Sequence, residues 1–129
     1  MTQAELIRWL RVVRRTGVSF DRLCELSGLP KPVAEYRFDI ITKRKWRFDW
    51  AWPGPRGGGL ALEVQGGLFV QGRHSRGAAL LEEHEKLNEA AAQGWRVMFV
   101  SPDRLESTTT FEWLRRALGE AIGGKRSRK

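Results

Sequence analysis

A single cysteine, Cys24, is all the thiol this chain has. That excludes an internal disulfide and any cysteine-based zinc cluster. Cys24 lies among apolar residues and reads as a small core side chain. Histidine is nearly as scarce. His74 and His84 would need a third partner to hold zinc, and no third ligand suggests itself. No apolar run approaches the length of a membrane-spanning helix, and no secretory leader is recognisable, so a cytoplasmic protein is expected (in the host cytoplasm if it is viral). There is no internal repeat. Acidic residues are in deficit as well: 15 Asp and Glu stand against 23 Lys and Arg, a net charge of +8. A surplus of that size attracts polyanions, and phosphate contacts make such binding salt-dependent. Arginine supplies 17 of the 23 cations, and its planar fork suits phosphate oxygens bidentately. A GC-rich coding bias would explain arginine over lysine, but not the positive sum. With 129 residues, 41% hydrophobic and 29% charged, the chain has the size and composition of one globular domain.

The stretch around which the rest is organised is residues 47–65, RFDWAWPGPRGGGLALEVQ. It reads as two short strands joined by a Gly/Pro turn. The first strand carries Asp49, and the second delivers Glu63 and Gln65. A hairpin of this kind brings the two carboxylates side by side. Leu60, Ala61, Leu62 and Val64 are apolar, so the second strand should be buried. A buried carboxylate is costly unless it is paired or binds a cation. Two readings fit this spacing. The carboxylates hold a hard cation, since Mg²⁺ favours such oxygens, or they pair with nearby arginines.

The remaining elements follow from periodicity and punctuation. Thr2-x-x-Glu5 is a capping box for a helix over about residues 3–14, apolar at Leu6, Leu10 and Val13 and basic on its other face. Ser19 can cap a second short helix carrying Phe20, Leu23, Cys24 and Leu26. Two short helices admit a DNA-reading helix-turn-helix, but the second shows few base-reading side chains, which favours a packing or dimer-forming extension. Residues 36–41 read as a strand, 42–45 as a basic turn, and residues 46–52 and 60–65 as the next two strands of an antiparallel meander. Residues 66–76 read as a loop, with Arg73, His74 and Arg76 facing phosphates. A helix is expected over residues 77–93, with Leu80, Leu81, His84, Leu87 and Ala91 on its apolar face and Glu82, Glu83, Glu85, Lys86 and Glu89 polar. Residues 95–100 form a strand that the helical crossover makes parallel to a partner. Thr109-x-x-Glu112 opens a last helix to about residue 122, and residues 123–129 are a basic tail.

In order, Asp49, Glu63 and Gln65 resemble the PD-(D/E)XK nuclease superfamily, where an Asp opens one strand and a Glu, a spacer and a Lys occupy the next. Gln65 departs from that pattern, standing where the Lys belongs. The surrounding series narrows the resemblance: Glu35-Tyr36-Arg37-Phe38, Trp46-Arg47-Phe48-Asp49, Glu63-Val64-Gln65-Gly66-Gly67, Gly72-Arg73-His74, Gly77, Lys86-x-Asn88-x-Ala90 and Gly94-Trp95-Arg96-Val97. Together they look like small phage-encoded endonucleases similar to archaeal-type Holliday junction resolvases, over about residues 31–101.

The resemblance implies an α/β (α+β) fold with a restriction-endonuclease-like αβββαβ core. A mixed central sheet flanked by helices would occupy residues 31–122, behind an N-terminal helical extension of residues 1–30. It implies a metal-dependent endodeoxyribonuclease acting on branched double-stranded DNA as a homodimer. The cofactor would be Mg²⁺, with Mn²⁺ substituting. Asp49 and Glu63 would be metal ligands, with the Val64 carbonyl as a third and Glu35 as an upstream acidic ligand. Gln65 could orient a water but carries no charge. Lys86 either reaches into the site to supply that charge or pairs with Glu82 four residues before it. Glu83 is a further acidic candidate. Arg44, Lys45 and Arg47, with Arg73, His74 and Arg76, would contact DNA. The alternatives are another nuclease of the superfamily, acting in nicking, repair or recombination, or a DNA-binding protein without catalysis.

Overall fold

The computed structural model describes Ala4, Arg8, residues 17–65 and residues 73–119, with the backbone only for residues 73–76. The chain divides into two compact units, Val33–Pro102 and Met1–Pro32 with Asp103–Lys129. One core over residues 31–122 is expected from the sequence. Instead the last helix groups with the N-terminal segment, because its apolar face finds its partners there.

The unit Val33–Pro102 is built on a four-stranded mixed sheet in the order β1-β2-β3-β4. Strands β1 (Val33–Arg37), β2 (Arg47–Pro53) and β3 (Gly59–Val64) form an antiparallel meander. A long helix, here α2 (Arg73–Ala92), then returns the chain, and β4 (Trp95–Val100) runs parallel to β3. This is the crossover that a parallel neighbour requires. Leu60, Ala61, Leu62 and Glu63 are all buried, the pattern of a strand covered on both faces. The turn before β3 depends on glycine. Gly58 has φ +72°, and a Cβ there would lie 2.5 Å from the Gly94 carbonyl oxygen. That approach seats the β2–β3 turn against the corner where α2 gives way to β4. The core of the unit gathers Phe38, Phe48, Ala51, Ala61, Ala90 and Trp95. Phe38 and Phe48 stack with ring centres 4.1 Å apart, and Trp95 meets Phe48 edge-on at 5.0 Å.

Three expectations are corrected here. The first strand is Val33–Arg37 rather than residues 36–41. Ile40 and Ile41 are exposed, and Asp39 redirects the chain. The Asp39 carboxylate is fully buried and accepts the backbone N–H groups of Thr42 at 3.0 Å and Arg44 at 3.2 Å, and the Thr42 hydroxyl. Such a side chain offers the backbone a turn in place of a ladder. Residues 73–76 begin α2 rather than ending a loop. The inward face of α2 is also not the apolar one. Ala90 is buried and Glu83, Lys86 and Leu87 are half-buried, whereas Leu80, Leu81, His84 and Ala91 are exposed. Side-chain hydropathy sets the face only where the opposing surface is itself apolar. Here it carries carboxylates.

The second unit holds α1 (Phe20–Leu26) and α3 (Thr108–Leu118). Phe20, Leu23, Cys24, Phe111 and Leu114 are buried, and the Phe20 and Phe111 ring centres lie 5.8 Å apart. Cys24 is a core residue, and burial pushes its thiol pKa up to about 12. Ser107 caps α3 by accepting the Thr110 N–H at 3.1 Å, so the cap precedes the expected Thr109 by two residues. Ala4 and Arg8 are helical and exposed. The remaining residues of the first helix and its capping box, and the chain beyond Gly119, lie outside the described residues.

Candidate active site

The register of β2 on β3 decides the centre of the sheet. Trp50 faces Leu62, and Ala51 faces Ala61. One step further along the same register, Asp49 stands opposite Glu63. The ladder does not continue there in backbone form. The Val64 N–H donates instead to Asp49 Oδ2 at 2.7 Å. The Asp49 side chain therefore replaces a main-chain acceptor and lies against β3 beside Glu63 and Val64. On β1 the pairs Ala34 with Trp50 and Tyr36 with Phe48 bracket Glu35, which falls opposite Asp49. Glu35 has φ +50°, a left-handed conformation in mid-strand. Backbone strain of this kind collects at functional sites.

Glu63 is 5% exposed. Its Oε2 receives Lys86 Nζ at 3.1 Å from α2, and the Lys86 side chain is itself only 13% exposed. Lys86 therefore does not pair with Glu82. Glu82 is used elsewhere, accepting the Trp46 indole N–H at 2.7 Å. The Lys86 ammonium also sits 5.7 Å from the centre of the Phe48 ring. Burial pushes the Glu63 pKa up to about 7; Lys86 opposes that rise, and the charges of Asp49 and Glu83 add to it. Glu83 accepts the Gln65 amide N–H at 2.7 Å. Gln65 is thereby oriented by a donor bond, and its carbonyl oxygen remains an acceptor.

The structure thus brings Asp49, Glu63, Gln65 and Lys86 to one end of the β2–β3 pair, together with Val64 and Glu83. Three carboxylates meet one ammonium there. Glu35 shares the register position but is exposed, and its side chain makes no hydrogen bond or ion pair among the described residues. Among the described residues no group of three or more His, Cys, Asp or Glu side chains is gathered as a metal cage. Two carboxylates and a main-chain carbonyl are nonetheless hard oxygen donors of the kind Mg²⁺ uses while keeping several waters. The excess of negative charge around a buried carboxylate fits a dication.

Of the expected DNA contacts, Arg44 is already engaged. Its guanidinium pairs with Glu85 at 2.6 Å and lies 4.8 Å from the centre of the Trp46 ring. Lys45 and Arg47 are exposed. The side chains of Arg73, His74 and Arg76 lie outside the described residues. Asp39 has a structural role that its spacing did not signal, since it accepts the N–H groups three and five residues on, beyond the two-residue reach of an Asx-turn. Burial works against its charged form, but the Thr42 and Arg44 donors hold its pKa below the usual carboxylate value. No protein-family model, curated protein or solved structure matches the chain. Among the described residues no helix is long and apolar enough to cross a membrane.

Proposed function

We propose that the chain is a metal-dependent, structure-selective DNA endonuclease of the PD-(D/E)XK kind, a Holliday junction resolvase that hydrolyses phosphodiester bonds in four-way junctions. The observation that carries this reading is the buried Glu63 beside Asp49, met by Lys86 from the facing helix. A carboxylate whose pKa is raised by burial and by two acidic neighbours, with one specific cation partner, is what a functional site uses. The element order supports the finer fold reading. A meander, a helical crossover and a parallel fourth strand are what a restriction-endonuclease-like core requires.

Asp49, Glu63 and the Val64 carbonyl would hold Mg²⁺, with Mn²⁺ as a substitute and Glu35 at the outer edge. When bound, the ion supplies charge relief at the phosphate and an activated water. The chain's own residues divide the other tasks. Gln65, fixed by Glu83, offers its carbonyl oxygen to a water proton and sets that water's direction. Lys86 carries the positive charge that Gln65 lacks and stabilises negative charge developing on the phosphate. The arginine-rich surface holds the duplex arms through their backbones, which selects shape rather than sequence. Two symmetric cuts call for two identical sites, which a homodimer supplies.

The test is cleavage of a labelled immobile four-way junction with Mg²⁺, with EDTA, and with Asp49→Asn and Glu63→Gln, beside a linear duplex of matched length. Paired symmetric cuts in the junction alone, absent in EDTA and in both variants, are expected. Equal cutting of the linear duplex would leave a nuclease without junction selectivity. Tight binding with no cutting under Mg²⁺ or Mn²⁺ would refute the enzyme reading.

A further inference from the structure

The end of the β1–β2 hairpin is unusually basic. Residues 37–47 hold five cations, Arg37, Lys43, Arg44, Lys45 and Arg47, against one acid, Asp39. Asp39 neutralises none of them through an ion pair, because its carboxylate is buried and taken up by the donors of Thr42 and Arg44. Arg44 is held by Glu85 and Trp46. That leaves four exposed cations with no ion pair among the described residues.

Two features set this end apart from an ordinary solvated face. First, Arg37 and Arg47 are direct cross-strand partners. Like charges placed opposite each other destabilise a sheet. Second, Lys43 and Lys45 both occupy the left-handed region, at φ +65° and +64°. Side chains with a Cβ adopt that region only at a cost. The turn is held in this form from both sides, by the Asp39 carboxylate within and by the Arg44 link to α2 without. A rigid turn therefore presents two lysines beside a self-repelling pair of arginines. Repulsion within such a cluster is relieved when an anion binds, and a preorganised cluster loses little freedom in binding it.

We propose that this hairpin end is a grip for the sugar-phosphate backbone of DNA, with Arg37, Lys43, Lys45 and Arg47 as its contacts. The inference rests on the nucleic-acid reading above, and extends it from a general basic surface to one defined element. Arg44 belongs to the support of the turn, not to the contacts. The grip touches phosphates alone, so it contributes equally on branched and linear DNA.

The full chain is titrated with fluorescent four-way junction and with linear duplex, in EDTA, over a series of salt concentrations. Each phosphate contact contributes about 0.9 to the slope of log affinity against log salt. Lys43→Ala/Lys45→Ala and Arg37→Ala/Arg47→Ala should each lower that slope by about 2 on both DNAs. Arg56→Ala removes one exposed charge from the β2–β3 turn and should leave the slope unchanged. Urea midpoints check folding; if a double variant is unfolded, Lys43→Gln and Arg47→Gln alone should each lower the slope by about 1. A wild-type slope in the double variants would overturn the proposal. So would an equal fall with Arg56→Ala, which would reduce the effect to net charge. Loss of binding to phosphatidylserine vesicles, with DNA binding intact, would assign the patch to a membrane surface and likewise overturn it. A lowered slope in a protein that never cuts DNA would leave the grip standing while the endonuclease reading fell.

Discussion

Replacing Lys86 with methionine keeps most of the side-chain volume and removes the one cation paired with Glu63. Truncating one partner of a buried ion pair ordinarily costs about 3–5 kcal/mol. Here the orphaned carboxylate can take a proton instead, so the cost must depend on pH. Glu63 rises from 4.5 in the unfolded chain to about 7 in the fold, with Lys86 in place. Between those values the folded chain binds the proton more tightly than the unfolded chain, so stability falls as pH rises through that window. Each unit is worth about 1.36 kcal/mol, which makes the wild-type loss roughly 3 kcal/mol by about pH 8. Without Lys86 the pKa climbs further, and Glu63 remains protonated to higher pH. The corresponding loss at about pH 8 then approaches 1.36 × 3.5, roughly 5 kcal/mol. At about pH 6 both proteins carry a largely neutral Glu63, and the electrostatic difference is small. The cost of Lys86→Met should therefore grow by about 1–2 kcal/mol between pH 6 and 8. Urea unfolding of both proteins in EDTA at three pH values measures it. A cost that is constant, or that shrinks as pH rises, would refute the argument.

Glu63→Gln removes the titrating carboxylate itself. In EDTA the fall in stability of roughly 3 kcal/mol between about pH 5 and 8 should disappear, and no cleavage should remain; urea unfolding at several pH values and the junction assay separate the two. Gly58→Ala forces a Cβ into the left-handed region and against the Gly94 carbonyl. It should cost about 1–3 kcal/mol by urea unfolding, and an unchanged midpoint would show that the turn gives way freely. Ser107→Ala deletes the cap of α3 and should cost about 1 kcal/mol, read from the same measurement. In the metal-free protein Mg²⁺ should raise the melting temperature, and Asp49→Asn should abolish that rise.

Much of the architecture is written locally. The meander, the crossover helix and the parallel last strand follow from β-rich runs, a glycine-rich turn and a 20-residue helix between Gln65 and Trp95. β4 occupies the residues expected of it, because an apolar run bounded by Gly94 and Ser101-Pro102 leaves little choice. Cys24, with no partner to find, could only be a core residue or an isolated thiol, and it is buried. Asp49 and Glu63 were legible as a pair because antiparallel register is arithmetic once the turn is placed. The first strand ends at Arg37 although the β-rich run continues to Ile41, because the Asp39 carboxylate accepts the N–H groups of Thr42 and Arg44 and turns the chain.

Tertiary structure decided what each helix face meets. Hydropathy points Leu80 and Leu81 inward, yet the Glu63 carboxylate draws Lys86 to the sheet, the Gln65 amide holds Glu83 there, and the leucines are left exposed. The same contacts gave Lys86 its partner. On its own helix Glu82 was the obvious one, but Glu82 is drawn to the Trp46 indole and Lys86 to a carboxylate that burial has made costly to leave alone. The assignment of α3 to the unit of α1 likewise depends on Phe111 meeting Phe20, a contact across some ninety residues. Composition and spacing determine which elements form and where charge accumulates. Which charges meet is settled only when distant segments compete for the same partners, since the energy of a buried ion depends on everything packed around it.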